Sequence, residues 1–332
     1  MPSNYSIAPI PDDKEWDAFA STSIGGTPFT TSKWLKNVEE VSGGQQIRLG
    51  LFKNATLRAG LTAIAKRRGP FIQLGTPELS PHTGILLCKT PEGKGPTKRE
   101  AEWQAACNHF IQYLSNRYDH IRITHTPDLT DLRPFSWAGW DLNLRYTYQL
   151  PLENQTESEL WERVERRTRT AIRKAEKLGY ECPETDDIDL LCDQYEKIYD
   201  NGPTPINTDL VRRHLRSAFQ AGLTEIFSVK SSSNETAAIV AFVKNENMTY
   251  AWVAGADPDH NNSGAASLLY WRYICQCSQN YFDFVGANLP SVAFFKRGMG
   301  GTLRPYYTTE HFSNKFLRRI VEVKKLLSRR NL

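Results

Sequence analysis

Three strand-like segments lie close together in the second half of the chain, and their connections are too short to contain a helix. The segments cover residues 225–230, 236–243 and 249–254 and consist mainly of apolar and β-branched residues. Polar turn sequences at residues 231–234 and 245–247 join them. Neighbouring strands that are joined by such short turns run antiparallel. The sequence therefore predicts an antiparallel meander, around which the rest of this half must pack.

Helical patterns surround the predicted meander. Apolar residues recur at three- and four-residue spacing on both sides of it, and the predicted helices cover residues 157–178, 187–199, 208–221, 264–280 and 290–297. Further strands are predicted at residues 281–285 and 302–307. The order is therefore helices, three antiparallel strands, and then alternating helices and strands.

The first half of the chain shows a similar order of elements. A helix is predicted to begin at Asp12, which can cap it, and other helices cover residues 31–41 and 97–116. Strands are predicted at residues 47–52, 57–65, 85–88, 121–123 and 146–150. Residues 69–81 are rich in Pro and Gly and are predicted to be a loop, and residues 90–98 to be a polar insert.

The length of 332 residues predicts two domains, at roughly 150 residues per domain. We place them at residues 1–150 and 151–311, followed by a basic amphipathic helix at residues 312–332. The tail helix has two interpretations, packing by its apolar face or peripheral contact with an anionic membrane. The first interpretation is the more common one for such helices.

The composition excludes several classes of protein. Hydrophobic residues make up 40% of the chain, which excludes wholesale disorder, and no apolar run approaches the ~20 residues that span a bilayer. The six cysteines include no C-x-x-C pair, so no metal site is predicted. No secretory signal is visible, so the expected location is cytoplasmic. The net charge of +4 permits an anionic substrate without requiring nucleic acid.

Two motifs in the second half carry a family resemblance. One is the basic helix of residues 166–179. In the first half, residues 29–34 and 145–148 show a weaker resemblance. The other is a glycine after a strand, then a Phe-Lys dipeptide and a glycine-rich turn, formed by Gly286, Phe295, Lys296, Gly298, Gly300, Gly301 and Tyr306. These motifs, with the meander between them, resemble the FemAB-like transferases. Those proteins are relatives of the acyl-CoA N-acyltransferase (GNAT) family.

The resemblance implies an α+β protein with two GNAT-like lobes, each a mixed, mostly antiparallel sheet flanked by helices. It also implies an N-acyltransferase in which a primary amine attacks an activated acyl carbonyl. Acyl-CoA or aminoacyl-tRNA would be the co-substrate, with no permanently bound cofactor. The acceptor would be an amine of a peptidoglycan precursor, another cell-envelope precursor or a related small molecule.

The same resemblance implies catalytic residues at the end of the chain's second half. Lys296 would place its ammonium group against the developing oxyanion, where one good donor contributes about 3 kcal/mol. Phe295 would form a wall of the site, and Asn288 would contact the donor or the acceptor. A surface lysine and a core phenylalanine are the alternative interpretations of Lys296 and Phe295. His260 and Asp283 are the weaker candidates for a general base.

A loop before the predicted helix at residues 264–280 is a candidate phosphate site. In acetyl-CoA users this position carries Arg or Gln followed by glycines whose backbone N–H groups hold the pyrophosphate. Gly264 and Ala266 fit that spacing, whereas Asn261 replaces the Arg or Gln. Ser263 and Ala265 complete the candidate site. The alternative interpretation is that Ser263 caps an ordinary helix.

Arginines on two predicted helices are candidates for binding an anionic substrate, because the guanidinium fork matches phosphate and carboxylate oxygens. They are Arg166, Arg169, Arg173 and Arg213. A solvent-exposed charged helix face is the alternative interpretation.

Trp34 and Lys36 are candidate substrate residues in the first half, by their place in the weaker motif. Family members that bind a nucleotide-linked precursor carry a lysine four residues after the matching tryptophan. Val38 occupies that position here, and Lys36 lies two residues after Trp34. The sequence also shows no inserted helical hairpin of the kind that many aminoacyl-tRNA users carry.

The sequence is also compatible with two other functions. One is an ordinary acetyl-CoA-dependent N-acetyltransferase of a small amine, which intact pyrophosphate binding at Gly264 would favour. The other is a non-catalytic module that binds anions, including nucleic acid, through its basic helix. Salt-sensitive binding of generic RNA or DNA without acyl transfer would favour that second rival.

Overall fold

The computed structural model describes residues 4–89, 95–198 and 206–330. The chain divides into two compact units, unit 1 (Met1–Arg145 with Pro305–Leu332) and unit 2 (Tyr146–Arg304). These limits differ from the predicted domain limits at residues 150 and 311. Residues 305–332 belong to unit 1 because the last strand pairs there, as described below.

The described part of the chain contains strands and helices in a mixed order. The strands are β1 (Tyr5–Pro9), β2 (Gln45–Lys53), β3 (Thr56–Arg68), β4 (Phe71–Gly75), β5 (Gly84–Leu87), β6 (His120–Thr124), β7 (Asp141–Pro151), β8 (Glu225–Lys230), β9 (Thr236–Lys244), β10 (Met248–Ala256), β11 (Tyr281–Asp283) and β12 (Thr302–Phe312). The helices are α1 (Asp13–Thr22), α2 (Ser32–Ser42), α3 (Pro96–Ser115), α4 (Arg133–Trp137), α5 (Glu157–Arg163), α6 (Arg166–Lys177), α7 (Ile188–Lys197), α8 (Thr208–Gln220), α9 (Ala265–Gln276), α10 (Pro290–Gly298) and α11 (Lys315–Arg330).

The sheet of unit 1 has the order β1-β2-β3-β4-β6-β12, and β5 pairs with β3 beside β4. All these pairs are antiparallel except the parallel pair β4–β6. Residues 308–312 of β12 pair with β6, which returns the end of the chain to this unit. One core cluster packs α3 and α4 on one face of the sheet, and a smaller cluster packs α1 on the other.

The sheet of unit 2 has the order β7-β11-β10-β9-β8. The predicted meander is confirmed, because β8–β9 and β9–β10 are antiparallel pairs joined by short turns. By contrast, β10 and β11 are parallel, and α9 makes the crossover between them. Its core contains the aromatic side chains of Phe242, Tyr273 and Phe282 packed against one another. Each unit is thus a mixed, mostly antiparallel sheet with helices on it, as the resemblance implied.

The helix predicted at residues 157–178 is interrupted, which corrects the prediction of one continuous helix. Val164 has extended backbone angles (φ −65°, ψ 131°) and ends α5, and Glu165 is the N-cap of α6. The N–H of Glu165 donates to the carbonyl of Gly298 at 2.9 Å, and the Val164 side chain is buried. Because the partner of Glu165 lies more than a hundred residues away, local spacing gave no sign of the break.

Some short strands were missed. Residues 69–81 were predicted to be a loop, but they contain β4, which pairs with the end of β3 and with β6. The strand β1 was also not predicted. The hairpin of β2 and β3 is confirmed, with Lys53 opposite Thr56. Part of the predicted polar insert at residues 90–98, the end of the helix predicted at residues 187–199, and the break predicted at residues 201–205 lie outside the described residues.

The tail helix α11 begins at Lys315. Leu317 is buried, whereas the side chain of Phe316 is 69% exposed. Arg318 forms an ion pair with Asp141 at 3.0 Å and another with Glu322 at 2.9 Å. Leu317 and the ion pair with Asp141 attach the start of the tail to the rest of unit 1, and both interpretations of the whole helix stay predictions. The side chains from residue 324 onward lie outside the part of the chain that the structure describes.

Within the described parts of the chain, no helix combines the length and the apolar content needed to cross a membrane.

Candidate functional site

The parallel strands β10 and β11 of unit 2 share only a short stretch of pairing. It ends at the pair Tyr250–Asp283, whereas β10 continues to Ala256. A bulge lies in β10 between Ala251 and Val253. At the point where the pairing ends, β11 stops and its chain turns away.

The turn after β11 is held by a buried carboxylate. Val285 and Gly286 both have left-handed backbone angles (φ 51° and 67°), which is rare for a β-branched residue. The Asp283 carboxylate, fully buried, accepts hydrogen bonds from the N–H of Val285 (2.7 Å), the Thr147 hydroxyl (2.6 Å) and the Gln149 amide (2.9 Å). Three donors therefore hold Asp283, and this geometry fits support of the strained turn better than the role of general base.

Lys296 of α10 reaches the same turn from the other side. Its ammonium group donates to the carbonyls of Val285 and Gly286, the second at 2.7 Å, and the residue is only 8% exposed. Burial lowers the pKa of Lys296 to about 8, and the charge of Asp283 opposes part of that shift. An ammonium group has three N–H donors, and these two bonds use two of them.

The neighbours of Lys296 in the motif have mainly structural contacts. The ring of Phe295 is half-buried and lies edge-to-face with Tyr270, at 5.2 Å between ring centres. The side-chain oxygen of Asn288 accepts a hydrogen bond from the N–H of Tyr146 at 3.0 Å, and Ala287 donates to the Tyr146 carbonyl at 2.7 Å. These bonds tie the turn to β7. The predicted catalytic roles of Phe295 and Asn288 stay predictions, and their observed contacts fit positioning.

Gly264 precedes α9 in the candidate phosphate loop and is tightly enclosed. Its φ is +84°, and a Cβ placed on it would lie 2.1 Å from the carbonyl oxygen of Ala171 in α6. A side chain is therefore excluded on two grounds, the backbone conformation and the contact with another helix. The glycine that the sequence assigned to phosphate contact is required for packing α6 against the start of α9.

The rest of that loop is also internally bonded. The Ser263 hydroxyl accepts from the N–H of Ala265 at 3.1 Å and donates to the His260 carbonyl at 2.6 Å. Ser263 thus bonds the first turn of α9, although Gly264 is the N-cap residue. Asn261 is exposed, Ala265 is buried and Ala266 is half-buried. Phosphate binding at this loop stays a prediction.

A lysine of the basic helix lies beside the loop, a contact that the sequence does not indicate. The ammonium group of Lys174 donates to the carbonyl of Asn262 at 2.8 Å. His260, a weaker candidate base, is bonded through its ring nitrogen to the Tyr180 hydroxyl at 2.8 Å. An anion at the start of α9 would therefore have a lysine next to it.

The basic helix α6 also contacts the helix that carries Lys296. The guanidinium of Arg167 lies over the ring of Phe294, 3.3 Å from its centre. A Cβ on Gly298 would lie 2.5 Å from the Thr168 hydroxyl, so α6 and α10 approach closely there. The helix α6 therefore braces both the loop before α9 and the helix α10.

The arginines that were predicted to bind substrate lie mostly on the outer side of α6. Arg166 and Arg173 are exposed, and the guanidinium of Arg173 lies 5.3 Å from the Trp161 ring centre. Arg169 is half-buried, and its guanidinium is 3.5 Å from the Trp161 carbonyl. Exposure to solvent is enough to explain why this face of α6 is charged. Substrate binding by these residues stays a prediction.

The second arginine cluster, on α8, is largely neutralised by carboxylates. Arg212 and Arg216 form ion pairs with Asp189 of α7, at 3.0 and 2.7 Å. Arg213 is exposed. An arginine that already binds a carboxylate is a poor receptor for a second anion, so Arg212 and Arg216 are poor candidates for an anion clamp. Substrate binding by Arg213 stays a prediction.

Trp34 and Lys36 lie in unit 1. Trp34 is 1% exposed, its indole N–H donates to the Ser80 hydroxyl at 2.8 Å, and its ring packs edge-to-face on Phe29. Lys36 is exposed and forms an ion pair with Asp13. The indole is buried and Lys36 already has a carboxylate partner, and the predicted substrate roles of both residues stay predictions.

Among the described residues, no cluster of three or more His, Cys, Asp or Glu side chains could hold a metal ion. The described cysteines are free thiols.

Comparison with known proteins identifies the class of unit 2. Residues 162–297, all of which lie in this unit, match the family model described as Acetyltransferase (GNAT) domain. The match includes α6, the meander, the loop before α9, and Lys296. No curated protein matches the chain.

Solved structures extend the likeness to nearly the whole chain. FemX is similar over 96% of this chain and 100% of its own, with a TM-score of 0.70 and 12% identity. A conserved protein from Bacteroides thetaiotaomicron covers 92% and 98%, with a TM-score of 0.57 and 13% identity. The C-terminal domain of a protein assigned as lysylphosphatidylglycerol synthetase from Agrobacterium fabrum covers 95% and 97%, with a TM-score of 0.56 and 9% identity.

Residues 162–297 of unit 2 therefore match the sequence pattern of a GNAT domain. The chain has the two-lobed fold of the FemAB-like GNAT relatives, which confirms the predicted resemblance. At such low identity the structural likeness establishes the fold alone. The domain match supports an acyltransferase and leaves the donor and the acceptor to experiment.

Proposed function

We propose that this protein is an N-acyltransferase that forms an amide between an aminoacyl or small acyl group and an amine of a cell-envelope precursor or related small molecule. The main support for this proposal is the position of the Lys296 ammonium group. It is a buried ammonium group, in a GNAT domain, held at the turn that follows the short parallel pair of β10 and β11. Its role would be electrostatic, because a fixed cation stabilises the oxyanion that forms during acyl transfer.

The reaction needs little from the protein besides position and charge. The nitrogen of a neutral amine attacks the acyl carbonyl, and a C–N bond forms while the carbonyl oxygen gains negative charge. The C–S or C–O bond to the donor then breaks, and the leaving thiol or hydroxyl takes the proton lost by the amine. We assign no protein base, because Asp283 accepts three hydrogen bonds and the His260 ring bonds to Tyr180. The substrates themselves can relay the proton.

Two donors fit the chain, and different observations support them. Acetyl-CoA is supported by the description of the matching family as an acetyltransferase domain, and its pyrophosphate would lie between the start of α9 and Lys174. Aminoacyl-tRNA is supported by the likeness in fold to FemX. We place the reaction in the cytoplasm, where both donors are found.

Isothermal titration with acetyl-CoA, with desulfo-CoA as the non-reactive comparison, separates the two donors. Lys174→Ala is the informative variant, because it removes the cation beside the loop and should weaken CoA binding by about tenfold. Lys177→Ala is the matched control, an exposed lysine on the same helix. Micromolar binding that Lys174→Ala weakens supports acetyl-CoA. If neither ligand binds, acetyl-CoA is rejected as the donor, and transfer from charged tRNA becomes the deciding assay.

The pH dependence of turnover tests the charge of Lys296. Its pKa of about 8 means that the ammonium form dominates at pH 7 and the neutral form at pH 9. If the charge stabilises the oxyanion, turnover should fall as the pH rises through about 8, even though more of the acceptor amine becomes neutral. Lys296→Arg, whose guanidinium stays charged, should not show this decline in whatever activity it retains. A wild-type rate that climbs steadily to pH 10 would show that neutral Lys296 suffices.

A further inference from the structure

A cavity of about 350 Å³ lies in unit 1, on the face of the sheet that α3 covers. Its volume is in the range of small-molecule sites. The floor is apolar and is formed by Leu51, Leu87, Trp103 and Ala106. The indole N–H of Trp103 donates to the carbonyl of Asp131 at 2.5 Å, which fixes the ring as one wall.

The rim of this cavity carries more positive than negative charge. Its basic residues are Lys53, Arg58, Lys89, Arg99 and Arg133, and its acidic residues are Glu100, Glu102 and Asp131. Arg133 forms ion pairs with Asp131 (2.8 Å) and Glu100 (2.7 Å), so those two carboxylates are already neutralised. Within the described parts of the chain, the other four basic side chains form no ion pair with a carboxylate.

Arg58 reaches this face through an irregularity in β3. Leu51 of β2 is opposite Ala59, but the next residue, Phe52, is opposite Leu57, so Arg58 is the extra residue of a β-bulge. Leu57 consequently packs in the cluster on the opposite face, with α1. Without the bulge, strict alternation would have put Leu57 on the face of the cavity. The carbonyl of Arg58 accepts from the N–H of Cys88 at 3.1 Å, which anchors the bulge.

A second observation places the Arg58 charge next to the cavity wall. Cys88 is another lining residue, although its side chain packs with the α1 cluster on the opposite face. Burial raises the pKa of its thiol, while the charge of Arg58 lowers it. Lys53 lies over the ring of Tyr5, another lining residue, at 5.0 Å from its centre. The charges of Arg58 and Lys53 therefore lie beside the apolar lining of the cavity.

We propose that this cavity is a binding site for a small amphiphilic anion, a carboxylate, sulfonate or phosphate carried on an apolar or aromatic body. The body would lie against Trp103, Leu87 and Ala106, and the anionic group would meet Arg58, with Lys53 and Arg99 nearby. Apolar burial and a charge-assisted hydrogen bond would act together. All the residues of this site belong to unit 1, and the proposal does not depend on the function proposed for unit 2.

Titration of the full chain with 8-anilinonaphthalene-1-sulfonate tests this site, because the probe joins an aromatic body to a sulfonate. N-phenyl-1-naphthylamine, which has a similar body without the charge, is the comparison. We expect saturable one-to-one binding of the sulfonate. Arg58→Gln should weaken it by about tenfold and leave the neutral probe nearly unchanged. Ala106→Leu should weaken both probes, because it fills the floor of the cavity.

Arg117→Gln is the matched control, since Arg117 lies in the same unit, stacks on Tyr113 and does not line the cavity. Thermal melting of each variant verifies folding. Should Ala106→Leu fail to fold, a chemical-shift change of the Trp103 indole N–H on adding the sulfonate to wild-type protein gives the same information. The proposal is overturned if the sulfonate does not saturate, if Arg58→Gln binds it as tightly as wild type, or if Arg117→Gln loses as much affinity.

Discussion

Replacing Lys296 with methionine is expected to lower the turnover for acyl transfer about 100-fold, which corresponds to the roughly 3 kcal/mol that one oxyanion donor contributes. Methionine keeps much of the side chain's length and apolar stem, so the packing of α10 should persist. The carbonyls of Val285 and Gly286 lose their charged donor, at a cost of about 1–3 kcal/mol each. The removal of a buried charge offsets part of that cost.

Arg297→Met is the matched control for this prediction. Arg297 follows Lys296 on the same helix and has the same charge, but its side chain is exposed. Its replacement should leave turnover within about twofold. Initial rates with saturating donor, together with circular dichroism and thermal melting, separate lost chemistry from lost folding. Wild-type turnover in Lys296→Met, with the fold intact, would remove Lys296 from the mechanism.

Replacing Gly264 with alanine is expected to destabilise the protein by about 3 kcal/mol or more. A left-handed conformation costs a residue with a side chain roughly 1–2 kcal/mol. The new Cβ would also meet the Ala171 carbonyl at 2.1 Å, a backbone atom that cannot rotate away. The helices α6 and α9 must therefore separate and lose packing. The free energy of unfolding from urea or guanidinium titration measures the effect.

Gly222→Ala separates the cost of the contact with Ala171 from the cost of the left-handed backbone conformation. Gly222 also has a positive φ (+64°) and lies in the same unit, but a Cβ there would meet nothing within 4 Å. It should cost only the conformational part, about 1–2 kcal/mol. Equal losses of unfolding free energy in the two variants would contradict the claim that the close approach of α6 requires Gly264. Phosphate binding would then be the better explanation for Gly264.

The parts of the fold that the sequence predicted are those set by local spacing. The meander of β8, β9 and β10 and the hairpin of β2 and β3 have short turns, so their pairing follows from the turns themselves. The strand β4 was missed because it is short, lies among Pro and Gly residues, and owes its pairing partly to β6, which lies far along the chain. The break before α6 likewise depends on a distant carbonyl.

The candidate site was predictable only where a motif marked it. Lys296 was found through the Phe-Lys motif, and the structure places it at the Gly286 turn that the same motif contains. The bracing role of α6 was not predictable, because Lys174 meets Asn262 and Arg167 meets Phe294 only after folding. The sequence shows six basic residues in α6 but not which of them contact other elements.

Trp34 and Asp283 show the limits of residue type as a guide to function. Both residues lie in or near a motif and can form hydrogen bonds. Both are buried, and each forms hydrogen bonds with neighbouring residues. A buried tryptophan and a buried aspartate are satisfied by hydrogen bonds when they serve structure. Only the partners distinguish that role from catalysis, and the partners come from residues far away in sequence.

We propose that unit 2 catalyses acyl transfer with the charge of Lys296, and a single-turnover assay is the decisive test. Radiolabelled acetyl-CoA and radiolabelled aminoacyl-tRNA are offered in turn to an amine-bearing peptidoglycan precursor. The labelled amide is identified by mass spectrometry, for wild type, Lys296→Met and Arg297→Met. We predict product with one of the donors, about 100-fold slower in Lys296→Met and nearly unchanged in Arg297→Met. No amide from either donor, or equal rates in all three proteins, would contradict the claim.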